Sequence, residues 1–350
     1  MRVLITGNMG YVGPVLVRHL RARFPDAELI GYDAAFFAQS LTHAVQFPER
    51  LLNRQIFGDV RDMGPELFEG VDAVVHLAAV SNDPMGNRFE AVTDDINHRA
   101  SVRCAMLARD AGVKHFAFAS SCSVYGFAEG GARSEKDAVN PLTAYARSKI
   151  ATEEGLRSAN NGNMTVTCLR FATACGASPR LRLDLVLNDF VAGAMADGKI
   201  TVLSDGSPWR PLIDVADMAR AIEWAITRET GNGGAYLSVN AGSDRWNYRV
   251  RDLAQAVADG VEGASVSINT DAPPDKRSYQ VDFSLFKELA PEHQPTTELA
   301  ASVERLRSLL GGMNFADKTF RQGSFIRLKV LDGLMADGAI GNDLRWGKAA

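Results

Sequence analysis

Two short segments of this sequence place chemically useful groups at productive spacing. Tyr145-Ala146-Arg147-Ser148-Lys149 sets a phenol and an ammonium at i and i+4, on one face of a helix. Upstream, Ser120-Ser121-Cys122-Ser123-Val124-Tyr125-Gly126 follows an apolar strand-like run, so the Ser121 hydroxyl would stand at the carboxyl edge of a sheet. A phenol of pKa ~10 must lose about 3 units, or ~4 kcal/mol, to serve as a base near neutrality. One ammonium ~5 Å away, at an effective dielectric of ~20, contributes about 3 kcal/mol of that. The remainder calls for a second positive charge. Tyr145 would then take a proton from a substrate hydroxyl, with Ser121 hydrogen-bonding the same oxygen. A YxxxK pair alone more often marks a solvated helix face, so its company in the chain decides.

That company begins at Gly7-Asn8-Met9-Gly10-Tyr11-Val12-Gly13, between the first strand-like run and the first helical pattern. Gly7 and Gly10 allow a tight turn and a close backbone approach to a pyrophosphate, and Gly13 allows helix to pack on strand. The N–H groups at Tyr11 and Val12 open the helix, whose positive end suits phosphate. Asp33 ends the second strand, where its carboxylate can accept from an adenosine ribose. A 2′-phosphate there would cost about 4 kcal/mol per charge pair at ~4 Å and a dielectric of ~20, before screening. No Arg or Lys lies in residues 34–49 to offset it, so the cofactor is expected to be NAD rather than NADP. Its oxidised nicotinamide supplies the second positive charge. Asp59 and Val60, after the third strand, are expected to hold the adenine. Leu77, Ala78 and Ala79, after the fourth, let the cofactor lie against the strand ends.

The elements that must position these groups alternate. Apolar runs at Arg2–Thr6, Glu28–Tyr32, Gln55–Phe57, Ala73–Leu77, His115–Ala119 and Thr165–Arg170 read as strands. Helical patterns occupy Tyr11–Arg23, Phe89–Ala111 and Leu142–Ala159 between them. Near-continuous apolar strands imply a sheet covered on both faces, and the alternation implies parallel winding. The predicted fold class is α/β: a Rossmann-type doubly wound parallel sheet with a smaller mixed α/β substrate lobe. Residues 1–172 form the NAD-binding domain, with 211–242 returning to it. Residues 173–210 and 243–311 form the substrate lobe, and 312–350 a C-terminal helical tail. Within the tail, Phe325, Leu328, Leu331 and Leu334 make an apolar stripe expected to pack on its own chain.

Composition excludes several classes. A net charge of −4 offers no footprint for nucleic acid or an anionic membrane. Four cysteines form no CxxC pair and six histidines no cluster, so no metal site is expected. No apolar run approaches the ~20 residues that cross a bilayer. The chain starts directly on a strand without a signal-like segment, and the expected location is the cytoplasm.

Taken in order, the glycine motif, Asp33, Leu77–Ala79, the SSxSVYG run and YxxxK resemble the extended short-chain dehydrogenase/reductase family, in particular its nucleotide-sugar epimerases and dehydratases. The resemblance covers roughly residues 1–310 and leaves the tail without a counterpart. It implies that Asn97 positions the strand and cofactor region. It also implies that Arg210, in Trp209-Arg210-Pro211-Leu212-Ile213-Asp214-Val215-Ala216-Asp217, holds a substrate diphosphate, together with Arg277 and Asn188. Arg182 is a further candidate, and Ser81, Ser123 and Thr173 complete the substrate set. Thr173 stands where the family usually has asparagine. Sugar 4,6-dehydratases carry a carboxyl pair after the catalytic hydroxyl, and here Cys122 and Ser123 occupy those places. The 3,5-epimerases carry a cysteine two residues after the serine, and here it is one residue after. The expected activity is therefore NAD-dependent epimerisation of a nucleotide sugar at C4, in a homodimer. A keto-sugar reductase or sugar dehydrogenase is the alternative.

Overall fold

The computed structural model describes residues 1–42, 45, 47–128, 130–160, 162–272 and 278–347. The strands are β1 (Arg2–Thr6), β2 (Glu28–Asp33), β3 (Arg54–Phe57), β4 (Ala73–His76), β5 (His115–Ser121), β6 (Thr165–Phe171), β7 (Thr173–Cys175), β8 (Lys199–Val202), β9 (Trp209–Asp214), β10 (Tyr236–Ala241), β11 (Asn247–Arg249) and β12 (Ser265–Ile268). The helices are α1 (Gly13–Arg23), α2 (Asp83–Arg88), α3 (Glu90–Thr93), α4 (Ala100–Asp110), α5 (Ala144–Ala159), α6 (Val186–Asp197), α7 (Val215–Ala225), α8 (Val250–Gly260), α9 (Ser284–Leu289), α10 (Leu299–Gly312) and α11 (Arg327–Ala336).

Seven strands form one parallel sheet in the order β10-β6-β5-β4-β1-β2-β3. The doubly wound Rossmann-type fold expected from the alternation is the fold observed. Val3, Leu4 and Ile5 of β1 are wholly buried, as strands covered on both faces require. One face packs Leu16 and Leu20 of α1 against Met218 and Ile222 of α7; the other packs Cys104 and Ala108 of α4. Strand order reverses between β1 and β4, which opens a crevice at their carboxyl ends where ligands of such sheets bind.

The helix expected over Phe89–Ala111 is interrupted. A π-helical turn spans Asp94–Arg99, between α3 and α4. Such turns shift the side-chain phase and often serve a site; this one buries Asn97. The second lobe gathers α6, α8, α10 and β8 around Leu187, Val191, Ile200, Leu253 and Leu306. The tail then joins both lobes: Phe320 packs in the second core, while Leu331, Ile340 and Leu344 pack in the core of the sheet. No helix among the described residues is long and apolar enough to cross a membrane.

Candidate active site

A cavity of about 1080 Å³ runs along the carboxyl ends of the sheet strands into the second lobe. Its first half is a cradle for an extended dinucleotide. Gly7 has φ +72, and a Cβ on it would fall 2.5 Å from the Ala78 nitrogen, so only glycine lets β1 run this close to the chain after β4. Gly10, Tyr11 and Val12 line the cavity. Helix α1 starts without a side-chain cap, so its first N–H groups remain available to an anion. Gly13 is not among the lining residues; a Cβ there would meet the Asn8 oxygen at 2.0 Å, which makes it a packing glycine.

Asp33 lines the same wall, partly buried. Its carboxylate accepts from Met9 N at 2.9 Å and Ala35 N at 2.7 Å, leaving lone pairs for ribose hydroxyls. Leu77, Ala78, Ala79 and Val60 line the cavity as well. Asp59 does too, but its carboxylate is held by Arg61, at 2.9 and 2.5 Å, which takes it out of free reach of an adenine. An uncapped helix end, a free-sided carboxylate and small residues in one crevice fit a dinucleotide. Among the described residues, no His, Cys, Asp or Glu group could hold a metal ion.

The reactive groups meet in the middle of the cavity. Thr143 caps α5, accepting from Ala146 N at 3.1 Å and donating to Asp83 at 2.7 Å, so the helix starts two residues later than expected. One turn of α5 carries Tyr145 and Lys149 to the cavity wall. Ser121, at the end of β5, accepts from Ser123 N at 3.1 Å, and its side chain acts to lower the Tyr145 phenol. Ser123 lines the cavity too, and its Oγ is buried without a hydrogen-bond partner among the described residues.

The electrostatics differ from the simple pairing expected. Burial, reinforced by Asp83, pushes the Tyr145 phenol up to about 12, against the Ser121 side chain and the Arg182 charge. Lys149 stands to one side of the phenol: its Nζ donates to Ala119 O at 2.6 Å and lies 5.5 Å from the Tyr145 ring centre. Burial lowers the Lys149 ammonium to about 7, with Glu153 opposing. Between that value and the ordinary 10.5, the unfolded chain holds a proton that the folded protein lacks. Stability therefore rises with pH across that window, and the cost of burying the charge is fully present below it. Lys149→Met is expected to raise the apo-protein's Tm near pH 6 and to lose that advantage toward pH 10. A Tm difference that does not change with pH would show the lysine is not desolvated.

Behind these groups sits a supporting layer that sequence reasoning missed. Glu153, one turn beyond Lys149 and 4% exposed, takes a 2.5 Å hydrogen bond from Ser120 and a 2.7 Å ion pair from Arg170. Its i+4 spacing from Lys149 was the available signal. Asp83 was missed because it stands in a loop pattern with no motif. Asn97 accepts from Val80 N at 2.8 Å and donates to Ser148 at 3.1 Å, linking the chain after β4 to α5 without lining the cavity.

On the substrate side, Ser81, Thr173, Arg182 and Arg210 line the cavity. Arg182 pairs with Asp184 at 2.9 Å and reaches Ser81 at 3.2 Å. Asn188 departs from expectation. It is wholly buried and outside the lining, with its amide engaged by Gly176 N at 2.9 Å and Arg182 O at 2.8 Å. No group is left to reach a diphosphate. Arg277 lies outside the described residues.

The family model described as "NAD dependent epimerase/dehydratase family" matches residues 3–242. Low-salt glycan biosynthesis protein Agl12 of Haloferax volcanii is 26% identical, over 83% of this chain and 92% of its own. A dTDP-glucose 4,6-dehydratase of Streptomyces griseus is 28% identical, over 86% of this chain and 92% of its own. Among solved structures, a UDP-glucose-4-epimerase from Stenotrophomonas maltophila, with bound NAD, has the same fold. It superposes with a TM-score of 0.76 at 21% identity, over 91% of this chain and 100% of that one.

Proposed function

Because the chain belongs to the NAD-dependent epimerase/dehydratase family, we propose that it epimerises a nucleoside-diphosphate sugar at C4 through a transient ketone. The observation that carries this reading is the one wall formed by Ser121, Ser123, Tyr145 and Lys149, continuous with the dinucleotide cradle. When bound, the nicotinamide supplies a hydride acceptor that later returns the hydride, and its positive charge favours the ionised phenol. Tyr145 takes the C4 hydroxyl proton and gives it back after the sugar has turned over. Lys149 adds positive potential, and Ser121 holds the reacting oxygen. Ser123, with its unpartnered Oγ, takes a neighbouring sugar hydroxyl. Arg210, on β9, grips the diphosphate by its forked donors and keeps the nucleotide fixed during the turn.

Elimination of water asks for an acid and a base where Cys122 and Ser123 stand. Cys122 is wholly buried, its Sγ faces Arg170 O at 3.0 Å, and burial pushes its thiol well above the ordinary range. It cannot serve there. Asp83 favours a second reading, dehydration, since it is a carboxylate close enough to raise Tyr145. Incubating the NAD-loaded enzyme with UDP-, dTDP-, GDP- and CDP-sugars separates the outcomes. A product of equal mass with C4 inverted supports epimerisation. Loss of one water selects dehydration, and stoichiometric net change of the cofactor selects a dehydrogenase or reductase. By calorimetry, Arg210→Ala is expected to weaken the preferred nucleoside diphosphate about 10- to 150-fold. Unchanged affinity would remove Arg210 from the diphosphate site.

A further inference from the structure

The C-terminal segment folds onto the end of the cavity where Asp33 and Asp59 stand. Trp346 Nε1 donates to Ala34 O at 2.6 Å, and its ring lies 5.4 Å from that of Phe36. Arg61 donates to Asp343 O at 2.8 Å, Arg345 pairs with Asp62, and Ser40 donates to Ser324 O at 2.9 Å. Both loops that flank the adenosine end of the cradle are thus tied to this segment, and Arg327 and Leu344 become part of the cavity lining.

Arg327 is 1% exposed, and its Nη1 is buried with no hydrogen-bond partner among the described residues. Its Nη2 donates to Arg180 O at 3.0 Å, and its guanidinium lies 4.6 Å from the Phe37 ring centre. Among the described residues no carboxylate forms an ion pair with it; Asp184 attracts it but is already paired with Arg182. Arg180 pairs with Glu49 at 2.5 Å and Arg182 with Asp184 at 2.9 Å, so three guanidinia here face two carboxylates and Arg327 is left without a pair of its own. Burial, and then the Arg182 charge, lower the Arg327 guanidinium to about 9. A buried charge without a partner is among the most costly features a fold can keep. An anion in the adjoining cavity would complete it, and a forked guanidinium suits phosphate oxygens.

We propose that Arg327, carried into the cleft by the C-terminal segment, binds the diphosphate of a nucleotide held there. This rests on the reading that the cleft takes NAD and a sugar nucleotide. Both ligands carry a diphosphate. The contacts of Arg327 with Phe37 and the chain at Arg180 place it nearer the dinucleotide's. The segment beyond α10 is then a working part of the cleft, latched by the ligand it helps to hold.

Calorimetry with dinucleotide-stripped protein tests this, using NAD, adenosine, and UDP added to NAD-loaded protein. Arg327→Met is expected to weaken NAD about 10- to 150-fold and to leave adenosine unchanged, because adenosine lacks the diphosphate. The stripped variant should melt no lower than the native protein, since an unpaired buried charge has been removed. Arg327→Lys should recover part of the affinity. If NAD is unaffected but UDP is weakened, the diphosphate is the sugar nucleotide's and the proposal stands. Unchanged affinity for both, or a lower Tm with unchanged affinity, overturns it and makes Arg327 structural. Should Arg327→Met not fold, the native protein still decides: NAD should slow tryptic cleavage within 313–347 more than saturating adenosine does, and equal protection overturns the proposal. Failure of the native protein to bind either nucleotide would instead sink the functional reading.

Discussion

Tyr145→Phe is expected to lower turnover about 10²- to 10⁴-fold while leaving NAD bound, because it removes the proton acceptor and little else. The geometry makes the effect specific. Tyr145 shares one wall with Ser121 and Lys149. Phenylalanine keeps the ring beside Lys149 and removes only the hydroxyl. Burial and Asp83 push the phenol up to about 12, so the group is a poor base until positive charge arrives next to it. That makes the pH profile informative. Native turnover should rise with pH through an apparent pKa well below 12, set by the loaded site, and the residual turnover of Tyr145→Phe should lose that limb. Near-normal turnover of Tyr145→Phe on the true substrate would end the proposed mechanism. A retained limb would assign the titration to another group, and Lys149, lowered to about 7, is the first to examine.

Much of this site was legible because its pieces are local. Strands read from apolar runs end within a few residues of those observed, and the glycine turn, Asp33, Ser121, Tyr145 and Lys149 each occupy one motif at a strand or helix end. What escaped depends on contacts distant in sequence. The π-helical turn over Asp94–Arg99 breaks a helix that periodicity reads as continuous, and within it Asn97, which the resemblance had implied, holds Val80 and Ser148. Asn188 looks polar and available, yet folding spends its amide on Gly176 and Arg182. Coulomb arithmetic on the Tyr145 and Lys149 spacing has the sign of their interaction right but omits burial, which dominates both groups. The tail stripe of Leu328, Leu331 and Leu334 does pack on its own chain. Nothing in its pattern says that the neighbouring Arg327 reaches a cavity lined by residues more than two hundred positions earlier.

NAD is expected to bind about 10²- to 10³-fold more tightly than NADP, and Asp33 is the reason. A 2′-phosphate carries roughly −1.5 to −2 charges near neutrality. Beside Asp33, each charge pair costs up to about 4 kcal/mol at ~4 Å and a dielectric of ~20, and partial exposure reduces this by a factor of about two. Burial raises the Asp33 carboxyl on balance, against the Ala35 and Met9 amides, and those two amides fix where the carboxylate stands. Relief would need a free cation at the ribose: Arg180 is engaged by Glu49, Arg61 by Asp59 and Arg345 by Asp62, and Arg327 is the guanidinium assigned to the diphosphate. Trp346, hydrogen-bonded to Ala34 O and packed near Phe36, covers the chain next to Asp33 and narrows the room there for a larger group. Charge and shape therefore act together, and two substitutions separate them. Asp33→Asn keeps a ribose hydrogen bond while removing the charge, and should narrow the preference by about tenfold or more. Trp346→Ala should narrow it less, because the charge remains. Titrating both cofactors at one ionic strength measures the ratio. Equal affinities in the native protein would overturn the assignment of Asp33 and favour a net reductase over a redox-neutral epimerase.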